Sequence, residues 1–157
     1  PTAMPYTLLY RTILERCKTV DEAIDLLEKT PRQTPNNLML MDAAGNRAVV
    51  EIKPSSITVR RGDEASALIS TNHQRGQDAD TPGRCKRYDF LHRESHEQFG
   101  RVDVDRLEKM LAGASAGNMT LQSMVFKPGN RVIYLSAGRD AAHGSFHRLD
   151  LGVYFRP

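Results

Sequence analysis

An apolar run that breaks into small polar groups is the place where this sequence could do chemistry: Leu68-Ile69-Ser70-Thr71-Asn72-His73-Gln74. A side-chain amide held rigidly at a strand end can donate to a developing oxyanion, an interaction worth about 3 kcal/mol in measured cases. Asn72 is the candidate donor. The polar stretch 73–84, rich in Gly, Asp and Gln, reads as a loop that would admit substrate while the sheet holds the amide in place. The competing reading is structural: Thr71 and Asn72 form an Asx-type turn where the strand stops.

A second cluster is Gly83-Arg84-Cys85-Lys86-Arg87-Tyr88. Cations are disfavoured at the positive end of a helix dipole, so a basic helix start calls for a compensating acidic group. A functional reading points Arg87 at a substrate oxygen or a buried carboxylate; the alternative is a solvated basic face. Cys85, between Arg84 and Lys86, has surroundings that lower a thiol pKa, with His73 or His92 as its base. Cys17 lies among Glu15, Arg16 and Lys18. No hydrolase signature surrounds either cysteine, and a helical Cys is more often a small packing residue. His143 and His147 sit in a Gly-rich loop without carboxylates at ligand spacing, and no CxxC exists, so no metal site is expected.

The rest of the sequence must position these groups. Its 157 residues suit one domain, 1–157, with a sizeable core. Net charge is +3, too little to argue for nucleic acid, and the basic residues are spread along the chain. No apolar run approaches the roughly 20 residues of a membrane span. No signal peptide is visible, and the compartment stays open with the cytoplasm slightly favoured. Whether Cys17 and Cys85 pair cannot be read from two cysteines.

Apolar spacing predicts a helix over 7–17, with Pro5 in its first turn. A second starts at Thr19, which caps free amides ahead of Asp21 and Glu22, and stops at Thr30 before Pro31. Strands are expected over 37–42, 47–52, 56–60 and 67–70, the first pair joined by a turn in which Gly45 and Asn46 take positive φ. Helices follow over 84–99 and from Val104 to Gly113. A hairpin spans 120–126 and 131–136 around Lys127-Pro128-Gly129-Asn130, and a last strand covers 149–155. Strands in hairpin runs, between runs of helices, predict an α+β fold of antiparallel sheets covered by helices.

The ordered set Leu38-Met39-Leu40-Met41-Asp42 with Gly45, Val50-Glu51-Ile52 and Thr71-Asn72-His73 resembles the acyl-coenzyme A:6-aminopenicillanate acyltransferases. These are a branch of the linear-amide hydrolases, related to choloylglycine hydrolases. Met4-Pro5, Thr19 to Ala23, Ser123 to Phe126 with Pro128, and Tyr134 to Gly138 extend the match over nearly the whole chain. The resemblance implies a layered αββα fold of the N-terminal-nucleophile type. A precursor cleaves itself to expose an N-terminal Cys whose α-amino group is the base. It places Asn72 at the oxyanion and Arg87 as electrostatic support; Arg84 is the alternative for that place, because an expected serine is missing. Glu51 follows the family pattern on its strand without an assigned task. The implied substrate is a small linear acyl amide. No cofactor is implied, although acyl-coenzyme A would serve a transferase as substrate.

The family's nucleophile lies upstream of the Met-Pro segment, and neither Cys17 nor Cys85 matches it. The expectation is therefore a C-terminal portion, inactive alone, whose partner segment or chain carries the Cys. Its unpaired edges and apolar faces are expected to favour homo-oligomers. Two other functions compete: a non-enzymatic binding module of the same fold, and a weak nucleic-acid binder.

Overall fold

A computed structural model describes residues 3–63, 66–76 and 85–154. The chain divides into two compact units, Pro1–Cys85 and Lys86–Pro157. Among the described residues they hold four α-helices and two three-stranded antiparallel sheets, an α+β architecture.

In the first unit, α1 (Tyr6–Arg16) follows Pro5, which stands just outside the helix rather than inside its first turn. α2 (Val20–Lys29) starts where Thr19 Oγ1 accepts from the Glu22 amide and stops at Thr30, whose backbone is extended before Pro31. β1 (Asn36–Met41), β2 (Arg47–Ile52) and β3 (Ile57–Arg61) form a meander with β2 central. Asp42 closes the first turn by accepting from the Ala44 and Asn46 amides, and its other oxygen accepts from Val20 N at the start of α2. One carboxylate thus ties the hairpin to the helix. Of the two turn residues expected at positive φ, only Gly45 takes it, at +86°.

Alternation decides the rest. Side chains at successive strand positions face opposite sides. Leu38, Leu40, Ala48, Val50, Ile52, Ile57 and Val59 share one side and pack with Leu9, Ile13, Val20, Ala23, Ile24 and Leu27 of the helices. The other side carries Asn37, Met39, Arg47, Val49, Glu51 and Arg60. The segment 66–76 is bonded to that second side. The expected strand over 67–70 is absent: these residues join no ladder. Side chains take the place of the ladder, with Arg47 donating to the Ser66 carbonyl at 3.2 Å and Arg60 to the Ile69 carbonyl at 2.9 Å.

In the second unit, α3 (Lys86–Glu97) carries Asp89 in its first turn, the acidic group that its basic start called for. α4 (Val104–Gly113) is capped by Asp103, which accepts from the Arg106 amide. Gly113 is required by packing, since a Cβ there would collide with the Phe90 ring. β4 (Gln122–Lys127) and β5 (Val132–Ala137) pair around Pro128–Asn130, with Arg131 in the left-handed region at φ 54°. The last strand, β6, is His147–Asp150, earlier than expected; Leu151–Tyr154 form a 3-10 turn instead. Leu151 N still bonds Arg131 O, one step further along the β5–β6 register, and Gly152 N then bonds the Asp150 carboxylate as the chain turns. Val125 and Val132 are buried on one side of this sheet. Met124, Phe126 and Leu149 share the other side and remain exposed.

Candidate functional site

On the side of the first sheet away from the helices, each of the three strands gives one polar residue that holds the segment 69–76. β1 gives Asn37, whose Nδ2 donates to the carbonyls of Thr71 (2.6 Å) and His73 (3.1 Å). These are the two neighbours of Asn72. β2 gives Glu51, only 2% exposed, whose oxygens accept from Arg75 N (2.9 Å) and Gly76 N (2.7 Å). β3 gives Arg60, whose Nε stands 3.1 Å from Glu51 Oε1. A fourth link runs the other way, from Gln74 Nε2 to the Ile52 carbonyl at 2.7 Å.

The segment so held lines an open cleft of about 900 Å3, together with Pro35, Asn36, Asn37 and Met39. Asn72 is exposed to solvent, and its side chain makes no hydrogen bond among the described residues. The amide thus stands on a fixed backbone with its donors unoccupied among the described residues. At the same lip Asn37 Oδ1 and Thr71 Oγ1 are buried without a partner among the described residues, leaving unused hydrogen-bonding capacity beside Asn72.

The other sequence candidates fall elsewhere. Arg87 is half-buried in the first turn of α3, in the second unit, and makes no ion pair among the described residues. Arg84 lies outside the described residues. Cys17 and Cys85 form no disulfide. Burial, and then the nearby Glu22 charge, pushes the Cys17 thiol up from its ordinary pKa, the opposite of nucleophile activation. Cys85 is buried, and neither thiol lines the cleft of Asn72. His73 is exposed there and contributes its carbonyl to Asn37. His92 stacks on Tyr88, ring centroids 6.2 Å apart. His143 bonds Asp140 at 2.8 Å, and His147 is exposed on β6. Among the described residues no group of three or more His, Cys, Asp or Glu could hold a metal ion. None of their helices is long and apolar enough to cross a membrane.

The residues that sequence reasoning left without a task are Asn37, Glu51 and Arg60. One signal was available for Glu51. A carboxylate between Val50 and Ile52, whose side chains face the helices, must lie on the opposite side of the strand, and a buried charge needs partners. Which partners it finds depends on contacts across 24 residues of sequence, from Glu51 to Arg75.

A protein-family model described as acyl-coenzyme A:6-aminopenicillanic acid acyl-transferase matches residues 1–142. No curated protein and no solved structure matches the chain.

Proposed function

The chain belongs to the acyl-coenzyme A:6-aminopenicillanic acid acyl-transferase family, and on that premise we propose that it supplies the oxyanion-binding side of an enzyme acting on linear acyl amides. The observation that carries this reading is the exposed, unengaged amide of Asn72 on a backbone fixed from beneath by Asn37. A cysteine thiolate attacks the substrate carbonyl, and the negative charge that gathers on its oxygen is met by Asn72 Nδ2. The amine departs with a proton from the base. Water or a second amine then takes the acyl group from the enzyme, giving hydrolysis or transfer.

The nucleophile in this proposal is a cysteine outside these 157 residues, at a new N-terminus made by self-cleavage. Two observations support that assignment. Partial burial and the Glu22 charge raise the Cys17 pKa, and neither Cys17 nor Cys85 lines the cleft. Arg87 is proposed to support the developing charge, a role taken from the family resemblance and favoured by a guanidinium with no ion pair among the described residues. The two units are proposed to belong to one domain of the layered αββα type. Acyl-coenzyme A is an acyl donor for such an enzyme and not a resident cofactor.

The test is an intact mass of the product expressed from its natural start codon, followed by turnover of N-acyl 4-nitroanilides of graded chain length. A processed chain beginning with Cys, with nitroaniline release that iodoacetamide abolishes, is the expected result. An uncleaved product without turnover of any such amide would remove the nucleophile assignment.

A further inference from the structure

We infer that Glu51 is the positioning residue for Asn72: its carboxylate, paired with Arg60, grips the segment on both sides of the oxyanion donor and fixes where that donor points. The inference rests on the reading of Asn72 given above and adds a residue to which the chemistry assigns no contact with substrate.

The geometry is complete within the first unit. Glu51 Oε1 accepts from Arg60 Nε at 3.1 Å and from Arg75 N at 2.9 Å. Oε2 accepts from Arg75 N at 2.9 Å and from Gly76 N at 2.7 Å. The second arm of Arg60 donates to the Ile69 carbonyl at 2.9 Å. Ile69 precedes Asn72 and Arg75 follows it, so one ion pair ties both ends of the short arc that carries the amide. Side-chain exposure is 12% for Arg60 and 2% for Glu51.

A pair buried this deeply is a poor device for stability alone, because well-packed apolar residues of similar size would serve as well or better. What apolar residues would not do is accept hydrogen bonds from loop amides. Every oxygen of Glu51 is engaged by the segment or by Arg60, so the carboxylate has no direction left in which to meet a substrate. Its effect on catalysis passes through Asn72. An oxyanion donor displaced by about 1 Å costs on the order of a hundredfold in rate.

The experiment uses the full natural protein, with Glu51→Gln and the double variant Glu51→Gln/Arg60→Met. The double variant leaves no lone charge buried and so guards against simple failure to fold. Two readouts are taken: amide hydrogen exchange over residues 69–76, and steady-state kinetics on an N-acyl 4-nitroanilide. Exchange over 69–76 is expected to rise at least about tenfold while the amides of β2 stay protected. In parallel kcat falls about tenfold to a hundredfold and KM changes less than about twofold, as for an interaction made only in the transition state. Unchanged exchange over 69–76 in both variants overturns the inference. So does raised exchange with unaltered kcat, since the order of the segment would then be irrelevant to the reaction. If the unsubstituted protein turns over no amide, the enzyme reading itself falls, and the exchange data decide separately whether Glu51 holds the loop.

Discussion

Asn37 Nδ2 donates to the carbonyl of Thr71 at 2.6 Å and to that of His73 at 3.1 Å, so a single amide on β1 brackets Asn72 from both sides. Both protons of one NH2 group are engaged, which also fixes the orientation of the Asn37 amide. Asn37→Ala removes a donor from two carbonyls at once. Stability is expected to fall by about 1–3 kcal/mol, read as a lower urea midpoint with unchanged slope. Amide turnover should fall at the same time. A variant as stable as the parent would show that water replaces Asn37 at no cost.

Asn72→Ala separates chemistry from folding. The side chain is exposed and makes no hydrogen bond among the described residues, so the unfolding free energy should stay within about 0.5 kcal/mol of the parent. The kcat for acyl-amide cleavage should fall by roughly a hundredfold to a thousandfold, the range for loss of one oxyanion donor. A kcat within a few-fold of the parent would place the oxyanion elsewhere.

Cys17 offers a check on the nucleophile. Burial and the Glu22 carboxylate hold its thiol above the ordinary pKa, and only the thiolate is alkylated. Iodoacetamide at pH 8 should therefore modify Cys17 more slowly than it modifies free cysteine, followed by peptide mass. Cys17→Ala should retain the turnover of the parent protein. Loss of activity on that substitution, with the fold intact by circular dichroism, would return Cys17 to candidacy.

Asp42 gives a prediction in pH. The Asn46 side-chain amide is the largest influence on it, and with the main-chain amides of Val20, Asn46 and Ala44 it outweighs partial burial. The carboxyl is held below its ordinary value of 3.8. A carboxyl whose folded pKa is depressed stabilises the fold fully above the unfolded value and loses that contribution as pH falls through the folded one. Asp42→Asn should accordingly be less stable than the parent at pH 6, and the two should converge as pH drops below about 3.8. Urea midpoints across that range are the measurement. A constant gap down to pH 2 would mean that the hydrogen bonds of Asp42 do not depend on its charge.

The local elements were legible in the sequence because their causes are local. The Thr19 cap, the stop before Pro31, the positive φ of Gly45 and the hairpin of β1 and β2 around it each follow from a few neighbouring residues. So does the candidacy of Asn72, since an apolar run breaking into small polar groups marks an exposed end. Two readings failed. Residues 67–70 have strand composition, yet they join no ladder; Arg60 donates to the Ile69 carbonyl and Arg47 to that of neighbouring Ser66 instead. The last strand ends early, at Asp150, where Leu151–Tyr154 turn into a 3-10 helix and Gly152 N bonds the Asp150 carboxylate.

The sequence alone thus determined most of the helices and hairpins and which family the chain resembles, and it nominated one amide, that of Asn72, for an oxyanion. Only the tertiary structure decided what holds that amide. Asn37, Glu51 and Arg60 lie on three different strands, and nothing in their own neighbourhoods says that they converge on residues 69–76. The physical reason is that a buried charge or amide must find partners wherever the fold brings them. Strand register, set by the whole meander, places all three on the side away from the helices.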